Sequence, residues 1–198
     1  MANTEHLILV KQGRWMEWSK YYPDLKLDLR EANLSNINLM GINLSEANLS
    51  YANLIGADLR ETNLSGADLS HANLIGTNMR QANLRGAYLI EAQLNRTNLS
   101  EANLIDANLS EANLENANLY EAEGMGAYFY KAILQKAKLI QAHLSKAYFF
   151  GADLTRADLE GADLRWANLT KANLEGAKLQ GVQLKGANLS KTNLAAAS

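Results

Sequence analysis

From Leu27 to Ala197 the chain repeats every five residues without insertion or deletion, as in EANLSYANLIGADLRETNLSGADLS from Glu46 to Ser70. Leu occupies the centre of 30 of the 34 units between Leu29 and Leu194; the others carry Met79, Gly124, Phe129 and Phe149. Two residues before each centre stands Ala in most units, and otherwise Thr62, Thr77, Thr97, Thr192, Ile37, Ile42, Val182 or Leu27. A period of five fits neither a helix at 3.6 nor a strand at 2. It is satisfied when each unit forms one side of a coil, with the centre and the small residue pointing inward and the other three outward. One unit alone buries almost nothing. Stacked coils bury a continuous column of Leu, at roughly 1.5 to 3 kcal/mol per side chain, and pair each backbone with the next.

The corners must turn tightly, and eleven of the thirteen glycines stand two residues after a centre, where a positive φ is expected. The irregular residues set the size of the coil. Phe129 and Phe149, Tyr128 and Tyr148, and Tyr130 and Phe150 are each 20 residues apart, and Tyr88 precedes Tyr128 by 40. Twenty residues make four sides, so 34 units give about eight coils and a rod of roughly 40 Å at strand spacing.

These units resemble the pentapeptide repeat family, of the cyanobacterial type with an N-terminal helical cap. The resemblance covers Leu27 to Ala197 and implies an all-β solenoid, a right-handed quadrilateral β-helix. Handedness comes from the resemblance alone.

Two parts are expected, a helical cap over residues 1–26 and the repeats over 27–198, together forming one domain. In the first, Leu7, Val10, Trp15, Trp18, Tyr21 and Tyr22, with Ile8 at the margin, share one side of a helix. Thr4 is the expected N-cap and Pro23 the stop, with Gly13 weakening the middle or dividing it. The two tryptophans are expected to plug the first coil. A membrane-surface helix is disfavoured because the polar face is not strongly basic. The sequence GANLSKTNLAAAS shows no cap, so Leu184, Leu189 and Leu194 are candidates for contact with a second copy. The family resemblance makes dimerisation through the C-terminal coils plausible.

With no cysteine, neither a disulfide nor a thiol-based site is open. The run LILV is too short for a signal peptide or a membrane span, so a cytoplasmic location without membrane partners is expected. A rod with outward side chains in unbroken register offers no convergent recess, so no enzyme, cofactor, small-molecule substrate or metal site is assigned. Glu123, His143 and Asp163 lie one coil apart in one column; they are an alternating surface ladder or, less simply, a metal site. Lys138, Asp158 and Lys178 form a similar column. Thr62, Thr77, Thr97 and Thr192 point inward, which removes the outward threonine array that ice binding needs.

The net charge of −2 hides an asymmetry, with residues 27–120 at −6 and residues 121–198 at +3. Lys131, Lys171 and Lys191 share one corner column and Lys136 and Arg156 another, but acids dilute both, and no nucleic-acid partner is assigned. The family also includes quinolone-resistance proteins that resemble duplex DNA and bind type II topoisomerases. The resemblance therefore raises a gyrase-binding DNA mimic as the alternative, from which this chain departs in its net positive C-terminal segment and its lack of inserted loops.

The pattern breaks at EAEGMGAYFY, residues 121–130, where Gly124 replaces Leu and Phe129 is expected to fill the space. Outside stand Tyr128, Tyr130, Tyr148 and Phe150, with Tyr88 and Ile90 two coils below. Contiguous exposed aromatics mark an interface, the plain alternative being a ladder that covers β backbone. The expected function is a non-enzymatic scaffold that binds an unnamed protein.

Overall fold

The computed structural model describes residues 2–14 and 26–198. Thirty parallel bridges, each joining a residue to the one 20 further on, run from Asp28↔Asn48 to Asn173↔Asn193. Four sides therefore make a coil, and the repeats stack into a four-sided β-helix. We number the faces from the side holding Asp28, so that face 1 carries Asn48, Asp68, Tyr88, Asn108, Tyr128, Tyr148, Asn168 and Asn188 in one column.

One side shows how every backbone N–H finds a partner. Asn48 donates to the Leu27 carbonyl below at 2.8 Å, while Leu49 and Tyr51 donate to Asp68 and Ser70 above at 2.7 and 3.0 Å. Ala52 closes the turn on the Leu49 carbonyl at 3.0 Å. The remaining N–H, that of Ser50, donates to Oδ1 of Asn48 at 3.1 Å. All 24 Asn and Asp residues preceding a centre accept this same bond from the N–H two residues on, which explains why a short side-chain oxygen recurs there.

The residue two after each centre has a positive φ in all 34 units, of which 23 are not glycine. A bonded turn with positive φ only at its third residue is the type II pattern. Each non-glycine pays conformational strain there, on the order of 1 kcal/mol, and is held by the ladder on both sides. The centres and small residues form a continuous buried column, with Phe129 and Phe149 among its largest members. The inward threonines satisfy their hydroxyls on carbonyls of the coil below, Thr62 on Leu39, Thr77 on Leu54, Thr97 on Leu74 and Thr192 on Leu169, all at 2.8 Å.

Before the repeats lies α1, Thr4–Lys11. Its N-cap is Asn3, not Thr4: the Asn3 Oδ1 accepts from the N–H groups of Glu5 and His6 at 3.0 and 3.3 Å. The helix ends before Gly13, whose φ of +66° leaves helical geometry, so the division at this glycine is the outcome. Trp15, Trp18, Tyr21, Tyr22 and Pro23 lie outside the described residues. Leu9 and Val10 are buried, and Ala2 and Leu7 pack on the core. Asn3 N–H donates to the Asp28 carbonyl at 3.0 Å, and Asp28 N–H donates to Nδ1 of His6 at 2.9 Å. Those are the two ladder bonds that a coil beneath would have made.

Candidate functional site

The aromatics fall where the 20-residue coil places them. Tyr128 stacks on Tyr148 with centroids 4.9 Å apart, and Tyr130 on Phe150 at 5.8 Å; inside, Phe129 stacks on Phe149 at 4.7 Å. Tyr88 is two coils below Tyr128 with Asn108 between them, so it shares the face without joining the stack. Phe150 is half-buried, and so less available than the tyrosines around it. Lys131 Nζ sits 5.0 Å from the Tyr130 ring centre and Lys171 Nζ 5.3 Å from that of Phe150. A hydrogen bond to Tyr130, then the charges of Tyr130 and Glu111, hold the Lys131 ammonium above its ordinary pKa.

Sequence reasoning missed Trp166, which is 60% exposed on the corner where faces 4 and 1 meet, one coil above Lys146. Gly186 stands above it, and a Cβ there would lie 2.2 Å from the indole ring, so this corner accommodates the ring only because position 186 is glycine. Tyr51, on the opposite edge of face 1, stacks on His71 at 4.6 Å. Among the described residues seven aromatics are strongly exposed, and six of them, all but Tyr120, lie on face 1 or its two edges. Two open recesses lie on the same face: about 500 Å3 around Tyr128, Lys146, Tyr148 and Trp166, and about 610 Å3 around Glu46, Gly66, Asp68 and Tyr88.

The same region lacks the Asn and Asp acceptors. Six consecutive sides carry Glu123, Tyr128, Ile133, Lys138, His143 and Tyr148 before their centres, so no side chain there accepts from the N–H two residues on. The break is therefore one and a half coils wide. Within it, a Cβ on Gly124 would meet Leu144 Cδ2 at 2.8 Å. The space expected to hold Phe129 is taken by the residue one coil above, because column neighbours are the nearest side chains.

Glu123, His143 and Asp163 do stack in one column, with His143 Nε2 3.9 Å from Glu123. The Asp163 carboxylate is engaged by Arg165, at 2.8 Å from Nε and 2.7 Å from Nη2, and this fork holds its pKa below the ordinary value against the opposing effect of burial. No group of three His, Cys, Asp or Glu is gathered for a metal among the described residues. Lys178 pairs with Asp158 at 2.7 Å. At the far end Leu184 and Leu189 are partly buried and Leu194 is 45% exposed. No helix among the described residues is long and apolar enough to cross a membrane.

Stacked five-residue sides with a Leu column inside define the class: a four-sided β-helical repeat solenoid. The description "Pentapeptide repeats" matches it in eight copies, over residues 28–66, 62–101, 102–139, 127–165 and 167–198. The chain belongs to the pentapeptide repeat family, and its solenoid is accordingly a right-handed β-helix. Among solved structures it is similar to HetL, a pentapeptide repeat protein involved in heterocyst differentiation regulation from the cyanobacterium Nostoc sp. strain PCC 7120, at 34% identity over 93% of this chain and 95% of that one, with a TM-score of 0.34. It is also similar to Rfr23 from the cyanobacterium Cyanothece 51142, at 28% identity over 90% and 98% of the two chains, with a TM-score of 0.33. A third is full-length QnrB1, a plasmid-mediated fluoroquinolone resistance protein, at 15% identity over 81% and 92%, with a TM-score of 0.40. No curated protein matches the chain.

Proposed function

We propose that this protein is a non-enzymatic interaction scaffold that engages a protein partner through face 1. The observation that carries the reading is that six of the seven strongly exposed aromatics of the described residues share that face and its edges. Exposed rings on a flat, rigid backbone offer large contact area with little side-chain entropy to lose, which favours protein association. A second contact, through Leu184, Leu189 and Leu194, rests on the exposure of Leu194 in the last coil.

The test uses Tyr128→Asn with Tyr148→Asn. These changes remove the stacked pair while restoring the short acceptor that other sides carry, so the rod should melt at an unchanged or higher temperature. Capture of a protein from native lysate should be lost. Capture that persists in this variant overturns face 1 as the contact, and retrieval of a type II topoisomerase by the intact chain would instead support the DNA-mimic reading.

A further inference from the structure

Above the first coil, where Lys26 pairs with Glu46 and Arg30 with Asp28, face 1 is segregated by charge. Between the Glu46 and Glu111 coils, the face and its two corner columns hold Glu46, Asp68, Glu91, Asp106 and Glu111 with no Lys or Arg. Between the Gly126 and Lys191 coils they hold Lys131, Lys146, Lys171 and Lys191 with no acid. The other faces mix both signs: face 4 sets Arg165 beside Asp163, and face 3, opposite, sets Arg60 beside Asp58 in the lower half and Lys178 beside Asp158 in the upper. From Glu46 to Lys191 the sign on face 1 changes once, between the coils of Asn108 and Tyr128.

We infer that face 1 pairs with face 1 of a second copy of this chain, the two rods lying antiparallel about a two-fold axis between the levels of Asn108 and Tyr128. The inference rests on the reading of face 1 as an interaction surface and names its occupant. A two-fold axis lying in the contact plane reverses the rods but leaves each corner column facing its own counterpart, so the acidic half of one copy meets the basic half of the other. A parallel copy would set like charge on like.

The fixed coil spacing then determines each pair. Glu111 faces Lys131 of the second copy and Lys131 faces Glu111, an alternating square of four charges around the axis. Tyr88 faces Tyr148, and Ile90 faces Phe150. On the other corner the protruding Trp166 falls opposite Gly66, where the corner has no side chain and the larger recess opens beside Glu46, Asp68 and Tyr88. Eight coils overlap, about 38 Å by a face roughly 15 Å wide, or on the order of 1,100 Å2 counting both copies. That lies near the lower limit of about 1,200 Å2 for standard interfaces, so the dimer should depend on concentration and salt.

The test is the mass of the full chain in solution by analytical ultracentrifugation, with Glu111→Lys and Lys131→Glu studied singly and mixed. Wild type should dimerise at low salt and weaken about tenfold in 1 M salt, where the screening length is about 3 Å. Each single variant sets like charges across the axis and should be monomeric. Their equimolar mixture restores both contacts and should form a heterodimer, which also shows that each variant is folded. A wild-type monomer at about 100 µM and low salt, single variants that dimerise like wild type, or a mixture that stays monomeric each overturns the pairing. Persistent lysate capture by the Tyr128→Asn, Tyr148→Asn variant instead defeats the broader reading of face 1, so the two failures are distinct.

Discussion

Leu144 lies directly above Gly124, with its Cδ2 2.8 Å from where a Cβ on Gly124 would stand. Gly124 is the one glycine of the repeats without a positive φ, so it is required for space and not for conformation. Gly124→Leu should therefore overpack the core by roughly 1 to 3 kcal/mol. Leu144→Ala alone should cost about 2 to 5 kcal/mol. Combined, the two should recover part of the loss, with a coupling above about 0.5 kcal/mol in a double-mutant cycle of chemical melts. Additive losses would show that the two positions do not share volume.

The outward Asn and Asp residues are structural parts of the coil. Asn108 accepts from the Ser110 N–H at 3.0 Å and from its hydroxyl at 2.6 Å. Asn108→Asp should be nearly neutral and Asn108→Lys should cost about 1 kcal/mol, the net value of a hydrogen bond. Leu104→Lys, which places a charge in the buried column, should unfold several coils. Conversely, Lys138→Asn supplies an acceptor to the Ile140 N–H and should raise the midpoint by a similar 1 kcal/mol or so. A drop in midpoint for Lys138→Asn would refute this role.

The five-residue period made the coil legible because every residue type at a given phase meets the same surroundings four sides later. Phase alone places Thr62, Thr77 and Thr97 inward, and all three are buried. What phase could not deliver was the reason for Asn and Asp, since a local side-chain bond to the backbone leaves the same outward signature as solvation. Trp166 gives no signal in the sequence because it lies on a different column from the tyrosines, and only the corner geometry brings it to the edge of their face. Phase also failed at Gly124, where the filling residue comes from the next coil, 20 positions away, instead of the next side of the same layer. His6 gave no signal, standing outside the repeat.

His6 completes the ladder at the first coil, its Nδ1 accepting from the Asp28 N–H at 2.9 Å. His6→Phe keeps a ring of similar bulk but leaves that partly buried N–H without its acceptor, at a cost of about 1 to 3 kcal/mol. Hydrogen exchange should locate the loss, with amides of the first coil exchanging faster and those near Leu104 unchanged. Uniform protection in the variant would mean that α1 does not seal the ladder through His6.

The Asp–Arg forks set the response to acid. Asp28, Asp58 and Asp163 are each held below the ordinary 3.8, first by the side-chain hydrogen bond from Arg30, Arg60 or Arg165, with partial burial opposing it. A carboxylate whose folded pKa is depressed contributes stability that is complete above its unfolded pKa and lost as pH falls through the folded one. The melting temperature should therefore stay level from neutral pH down to about 4 and then fall toward about pH 2, where these carboxylates take up protons. Arg165→Gln isolates one fork. Because Arg165 is half exposed and screened, the variant should lose only a small part of its stability at neutral pH. That difference from wild type should vanish as the pH falls below 3.8, since protonated Asp163 no longer distinguishes arginine from glutamine. Melts of both proteins between neutral pH and about 2 provide the measurement. A gap that persists undiminished at the acid limit would assign the effect of Arg165 to packing instead of to its charge.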